Sequence, residues 1–282
     1  MNDPPQAAPT PGVAFAVFYP VRALPYLRGT IMLIPMQTIS INFIVPQGWH
    51  ELSDKQLRYV YQLLADDFAT DEIKTLCLLQ WSGTKVIGRQ DSGAYLLKKA
   101  KILFEVTPLT LAELLPNLDW LASLPTVPVR LSKINRQHAL PADFSEVPFE
   151  TFIICDNLYQ GYLQTQNDDL LDQLGATLYG KAMTFKPYER ISIFYWFAAL
   201  KDTFSRKFPD FFQPINAATG GNLLGSSAPS VEDAMNAQIR ALTKGDITKE
   251  KEVLALDTHR ALTELNAQAR EYKELNAKTA SK

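Results

Sequence analysis

The amino-acid sequence predicts a mostly α-helical fold with a minor β component, in the α+β class. From Trp49 onward, apolar side chains recur every three or four residues between residues that commonly cap helices. Before Trp49, apolar and polar residues alternate, which is typical of short strands. The stretch 249–276 contains neither glycine nor proline and is rich in helix formers. We therefore expect a multi-helix body with N-terminal short strands and a long C-terminal helix.

The central helix of the body is predicted at 187–208, PYERISIFYWFAALKDTFSRKF. Pro187 suits a first helical turn, where its missing N–H has no helical partner to lose, and Pro209 ends the helix. Apolar residues occur on most sides of this helix and charged residues are confined to its ends. Such a helix is usually buried, so this one is expected to lie in the core.

Length and charge limit the possible function classes. The chain has 282 residues and a net charge of −2, so it has no overall basic field and nucleic acid is an unlikely partner. No apolar run is long enough for a membrane span, and residues 1–12 lack the basic start of a signal peptide. The expected location is the cytoplasm.

Cys77 and Cys155 are expected to be buried free thiols, with a disulfide or a reactive thiol as the alternative.

Two N-terminal arms are predicted ahead of the body. Residues 1–12 are rich in proline and are expected to be disordered. Residues 13–48 form a short-strand arm, because apolar residues alternate along 13–19 and again along 39–43. A loop-rich arm without a sheet is the alternative, since prolines and glycines interrupt this section.

The mainly helical body spans 49–213. Its first part is predicted to contain an αα-hairpin at 53–82, a β-hairpin near 84–107 and a helix from Thr110 to Leu124. The N-caps expected for the two arms of the αα-hairpin are Ser53 and Thr70.

The second part of the body begins with a crossing segment in which Val127 to Leu131 could form one short strand. A helix follows at 149–165. Another begins at Asp168 or Asp169 and ends at Gly180.

A flexible linker is predicted at 214–230, followed by C-terminal helices at 231–282. One helix covers 231–243. Thr248 is expected to cap the last helix, which runs unbroken over 249–276. Its apolar stripe is narrow and rich in alanine, which favours contact with another protein over deep burial. The predicted partner-binding residues are Leu254, Ala261, Leu265, Ala269 and Tyr272.

The sequence offers no assembled catalytic or metal motif. None of the three histidines has a second ligand at metal-binding spacing, and His259 is expected to be a solvated surface residue. No phosphate-binding glycine loop is present, so Lys98, Lys99 and Lys101 indicate a solvated hairpin rather than a phosphate site. No cofactor, metal or catalytic residue is therefore predicted.

Unusual polarity in the helix at 149–165 suggests a ligand pocket, because aromatic rings beside a carboxylate can line one. The alternative is a core helix whose polar groups are satisfied by its neighbours. The pocket candidates are Asp156, Asn157, Tyr159, Tyr162, Tyr195 and Trp196.

Three stretches together resemble uncharacterised proteins from prophages and mobile elements of Bacteroidota. They are FETFIICDNLYQGYLQTQ, ERISIFYWFAALKDTFSRKFPDFF and MNAQIRALTKGDITKEKEVLALDTHRALTELNAQAREY. The resemblance runs from about Trp49 to the end and carries no residue with a known role. It implies a virion structural or tail-assembly, chaperone-like component that binds phage structural proteins in the host cytoplasm or the virion.

The arms, the body, the linker and the striped helix together predict a non-enzymatic interaction or assembly protein. Its partners would be proteins, including further copies of itself, bound through the C-terminal helices and the N-terminal arm. The alternative is an enzyme or a small-ligand-binding protein with a pocket around Asp156, Tyr159 and Trp196.

Overall fold

A computed structural model describes residues 13–20, 38–212 and 239–280. These residues belong to two compact units on either side of the bond between Leu124 and Pro125. The fold class is confirmed, since the described chain is mostly helical with small antiparallel sheets and a long C-terminal helix. The predicted Pro-rich arm and the predicted flexible linker lie outside the described residues.

The first unit begins with two antiparallel strands, β1 (Val13–Pro20) and β2 (Thr38–Val45). Their register pairs Val13 with Val45 and Pro20 with Thr38. The alternation read from the sequence thus corresponds to a paired sheet, and the loop-rich alternative is wrong.

The αα-hairpin is confirmed as α1 (Asp54–Ala65) and α2 (Thr70–Trp81). Ser53 caps α1 in a reciprocal capping box with Gln56. The prediction that Thr70 caps α2 is wrong, because the cap position is Ala69. The carboxylate of Glu72 accepts the Ala69 N–H at 3.0 Å. This backbone N–H at the start of α2 is therefore hydrogen-bonded although Ala69 has no capping side chain.

The predicted β-hairpin is part of a three-stranded antiparallel sheet. It contains β3 (Thr84–Arg89), β4 (Tyr95–Lys99) and β5 (Ile102–Val106), in that spatial order. The register between β3 and β4 shifts between Val86 and Gly88. A register shift of this kind breaks the two-residue period, which explains why the sequence predicted a two-stranded hairpin over this range rather than three strands.

The helix predicted from Thr110 to Leu124 differs at both ends. α3 covers Pro108–Leu114, and a 3₁₀ helix follows at Leu115–Ala122. Thr107 is the N-cap, and its hydroxyl accepts the Thr110 N–H at 3.1 Å. Pro116 has no N–H to continue the α-helical ladder, so the chain tightens into the 3₁₀ form after Leu114.

In the second unit, the strand predicted at 127–131 is not formed. Two-residue strands pair instead, β6 (Lys133–Ile134) with β7 (Gln137–His138). Leu131 is buried, and its carbonyl accepts the Tyr179 hydroxyl at 2.8 Å. The Tyr179 side chain thus donates to the carbonyl that would have accepted a hydrogen bond from a neighbouring strand.

Four helices follow as α4 (Phe149–Thr165), α5 (Asp168–Tyr179), α6 (Pro187–Lys207) and the short α7 (Pro209–Phe212). The N-cap of α5 is Asn167, whose side chain accepts the Asp169 N–H, and not either aspartate. Gly180 ends α5 at φ +69°, as predicted.

The aromatic helix α6 is central to the second unit, as predicted. Trp196, Phe197 and Phe204 are each at most 1% exposed. Phe152 of α4 packs against the ring of Phe204 at 5.4 Å between centroids and against Phe197 at 6.3 Å. Rings from both helices therefore form one continuous core.

The unbroken C-terminal helix predicted over 249–276 is wrong. The structure has α8 (Glu250–Leu254), a bend, and α9 (Thr258–Ala280). Asp246, rather than Thr248, caps the 3₁₀ turn Ile247–Lys249 that leads into α8, accepting the Thr248 N–H at 3.0 Å. Of the helix predicted at 231–243, residues 239–243 are helical and the remainder lies outside the described residues.

Among the described residues, no helix has both the length and the apolar character needed to span a membrane.

Both cysteines are buried and free, as predicted. Burial raises the pKa of the Cys77 thiol to about 12, and burial with nearby Asp156 raises the pKa of Cys155. Because the thiolate is the reactive form, we expect almost no reaction with a thiol reagent at about pH 8 in the native protein. Unfolding in guanidinium should release two reactive thiols per chain. Fast labelling of either cysteine in the native state would contradict this burial.

Candidate functional site

The six pocket candidates lie on α4 and α6 but do not converge. Tyr159 and Tyr162 pack on Phe194, with ring centroids 5.6 and 5.7 Å apart. Trp196 instead contacts Phe144 at 6.3 Å and Tyr179 at 6.1 Å. Two positions along a helix place Phe194 and Trp196 on nearly opposite sides, so the two groups line no common cavity.

Trp196 is a core residue. Its side chain is fully buried, and its indole Nε1 donates a hydrogen bond to the Ala142 carbonyl at 2.8 Å. The guanidinium of Arg130 lies 5.9 Å from the ring centroid. Both the ring and its one polar atom are therefore already engaged within the unit.

The carboxylate of Asp156 is paired inside the protein. Its Oδ1 lies 2.7 Å from Lys201 Nζ, as an ion pair rather than a well-aligned hydrogen bond. The same ammonium lies 4.7 Å from the ring centroid of Phe212 and 5.6 Å from that of Phe152. The two charged side chains are only 21% and 18% exposed. This supports the alternative interpretation, in which neighbours satisfy the polar groups of α4.

The phenols of Tyr159 and Tyr195 are held in their protonated form. Burial raises the pKa of both Tyr159 and Tyr195, and the charge of Asp156 adds to the effect on Tyr159. Both phenols therefore remain protonated at neutral pH. Asn157 and Tyr195 are half-buried, so neither is sealed in the core nor fully open to solvent.

Two grooves in the described part of the second unit lie away from the six pocket candidates. One of about 720 Å³ is lined by Glu150, Ile247, Lys251 and Leu254, and a smaller one of about 260 Å³ adjoins it near Ile239. Both are half-open to solvent. Neither includes any of the six pocket candidates, although Leu254 belongs to the predicted partner-binding set.

His259 is not the solvated residue that the sequence predicted. Its Nε2 lies 2.8 Å from the Asp143 carbonyl and its Nδ1 lies 3.0 Å from Lys207 Nζ. Because the carbonyl only accepts, Nε2 carries the proton and Nδ1 accepts from the lysine. His259 therefore anchors α9 to the rest of the unit. No group of three metal-binding side chains occurs among the described residues.

The break between α8 and α9 is fixed by hydrogen bonds to a distant segment. Asp257 accepts the Glu146 N–H at 2.8 Å and the Arg260 N–H at 3.1 Å. The N–H and hydroxyl of Thr258 both donate to the Val147 carbonyl, at 2.9 and 2.7 Å. The carboxylate of Asp257 therefore caps the start of α9, and an aspartate inside a run of helix formers was the signal in the sequence that could have located the break.

The first half of α9 is docked within the second unit. Ala261, Leu262 and Leu265 are at most 4% exposed. The side-chain oxygen of Asn266 accepts the backbone N–H of Asp210 at 2.8 Å and of Phe211 at 3.1 Å, which caps the start of α7. These contacts leave Ala261 and Leu265 no free surface for another protein.

The second half of α9 is exposed. Tyr272 and Leu275 are 63% and 62% exposed. Lys273 makes an ion pair with Asp210 at 3.1 Å, and every residue from Arg270 onward whose side chain is described is exposed. Ala269 is half-buried, as is Leu254. Of the five predicted partner-binding residues, Tyr272 is therefore the one that faces solvent.

The three lysines lie in β4 and in the turn that follows it. Lys98 and Lys101 are exposed and Lys99 is half-buried. Lys98 and Lys99 lie on opposite faces of β4, because successive strand residues alternate. Lys98 and Lys101 are therefore solvated, whereas Lys99 is partly covered.

The comparisons with known proteins supply no relative. The chain matches no protein-family model, no curated protein and no solved structure with which it was compared. No residue role is therefore transferred from another protein, and the resemblance to prophage proteins remains a hypothesis based on the three quoted stretches.

Proposed function

We propose that the protein is a non-enzymatic assembly protein that binds other proteins through its C-terminal helices and N-terminal arm. The observation that carries this proposal is the exposed end of α9, where the side chains of residues 270–275 and 277–279 are exposed and Tyr272 and Leu275 are presented to solvent. Large apolar side chains on an exposed helix face commonly serve as anchors for a partner.

The anchoring of α9 supports the same proposal. At its base, Asp257 and Thr258 fix the helix to the segment around Val147. Asn266 and Lys273 then tie it to α7. A binding helix held in this way loses little conformational entropy when a partner docks, so even a small apolar surface can contribute net affinity.

More specifically, we propose a phage virion structural or tail-assembly component, chaperone-like in that it would hold a partner's apolar segment. This narrower proposal is supported by the resemblance of the quoted stretches to prophage proteins. The helix end described above is the surface through which such a component would contact its neighbours.

A small-ligand-binding protein or an enzyme is the alternative proposal. It is less well supported, because Trp196 is separated from Tyr159 and because Asp156 is paired with Lys201. A ligand at this place would have to displace an ion pair and enter a packed aromatic cluster.

Site-specific photo-crosslinking tests the proposed function. A photoreactive phenylalanine analogue would replace Tyr272 in the cells that naturally produce the protein. We expect adducts of discrete mass, and mass spectrometry of the adducts would identify the partner and show whether it is a virion protein. The control is the same replacement at Leu109, which is 72% exposed in the first unit.

An adduct formed from position 272 but not from position 109 would support a specific contact at the exposed end of α9. The absence of adducts at 272, or the same adducts at both positions, would refute that contact.

A further inference from the structure

The exposed end of α9 continues a row of residues that is buried further back in the helix. Leu265, Tyr272 and Thr279 are seven residues apart, with Gln268 and Leu275 between them. This is the 3.5-residue spacing with which two helices pack along a seam. Leu265 uses the seam inside the second unit, whereas Tyr272 and Leu275 present the same seam to solvent.

We infer that this seam pairs with the same segment of a second copy of the chain, in an antiparallel two-helix contact. The inference rests on the proposed function, since it names the partner of the same surface. In the antiparallel arrangement, with a two-fold axis near residues 273 and 274, Tyr272 faces Leu275 of the second copy. In the adjacent layer, Gln268 meets Thr279, so apolar residues oppose apolar ones and polar residues oppose polar ones.

The charges beside the seam favour this partner and this orientation. Glu271 and Lys278 are exposed, two helical turns apart, and flank the seam on the same side. In an antiparallel pair such positions face one another, so Glu271 of each copy approaches Lys278 of the other. Two-fold symmetry makes this contact twice. In a parallel pair, Glu271 would instead face position 276 and no opposite charge.

The size of the surface predicts weak association. The exposed segment covers about three helical turns and would bury well below the roughly 1,600 Å² of a standard stable interface. The pairing is therefore concentration-dependent. It becomes effective where several copies are already held close together, as in an assembly.

Charge exchange tests the pairing on the full-length protein. Sedimentation velocity would be measured from about 1 μM to about 1 mM, where a weak interface dissociates. Glu271→Lys alone and Lys278→Glu alone each replace two attractive contacts with two repulsive ones. Each is expected to weaken dimerisation by about tenfold. The double variant Glu271→Lys/Lys278→Glu restores opposite charges and should return dimerisation to within about threefold of wild type.

The matched control is Arg270→Glu, which makes a charge change of the same size at an exposed position on the side of the helix opposite the seam and should leave dimerisation unchanged. Circular dichroism would verify that each variant keeps its helix content. A monomeric wild type over the whole range would overturn the self-pairing, while crosslinking at Tyr272 would still test binding to other proteins. Failure of the double variant to recover, with helix content intact, would overturn the antiparallel pairing.

Discussion

Trp196→Ala is expected to destabilise the second unit by about 3–5 kcal/mol. The substitution leaves a large cavity between α6 and the ring of Phe144 and removes the donor to the Ala142 carbonyl. Little of the lost packing can be recovered, because core rings on several sides cannot all collapse into the space. In thermal unfolding followed by circular dichroism, the midpoint should fall by an amount on the order of 10 °C.

A matched control separates burial from aromatic character. Tyr272→Ala removes an aromatic side chain of the same unit that is 63% exposed. Its effect on the free energy of unfolding should be within about 0.5 kcal/mol. A wild-type midpoint for Trp196→Ala would mean that the ring is not in the core. A large loss for Tyr272→Ala would mean that the end of α9 is packed rather than exposed.

Gly175→Ala is expected to destabilise the protein by up to about 2 kcal/mol, although alanine is the better helix former. A Cβ at this position in α5 would lie 2.5 Å from Cδ1 of Ile193 and 2.6 Å from the ring of Phe185. Alanine contributes about 1 kcal/mol through helix propensity, whereas overpacking a tight core costs about 1–3 kcal/mol. The steric cost is expected to prevail because two buried side chains must move.

Gly161→Ala is the matched control, because this glycine also lies within a helix. Its Cβ would meet only the flexible end of Leu170, at 3.2 Å. The propensity gain should therefore dominate and stabilise the protein by about 0.5–1 kcal/mol. Urea unfolding measures both changes. Equal signs for the two substitutions would contradict the close approach of α5 and α6, whereas partial recovery by Ile193→Val in the Gly175→Ala background would locate the clash.

Local patterns were sufficient for most of the helical framework. α4, α6 and the αα-hairpin were predicted near their observed bounds, because a repeating apolar face and a Pro or Ser at the first turn depend only on neighbouring residues. The same locality explains the errors at helix starts. Thr70 and Thr110 match the sequence pattern of a cap, but Glu72 and Thr107 supply the hydrogen bonds that are made.

Local sequence patterns could not decide whether the candidate pocket residues converge. Tyr195 and Trp196 are adjacent in sequence, and the sequence does not say which of them faces the ring of Phe144. That choice depends on the rotation of α6 against its neighbours, and it places Trp196 in the core while Tyr195 is half-buried. The pairing of Asp156 with Lys201 likewise requires α4 and α6 to lie side by side.

In the C-terminal region, too, neighbouring residues determined some features and tertiary packing determined others. The sequence alone predicted that most of 249–276 is helical, because this stretch contains no glycine or proline and many helix formers. Only the tertiary structure decided that this helix breaks at Asp257, because the Glu146 N–H and the Val147 carbonyl that hold the break are about 110 positions earlier in the chain. Tertiary packing also decided that Leu265 is buried and Tyr272 exposed, since Asn266 docks the first half of the helix on α7.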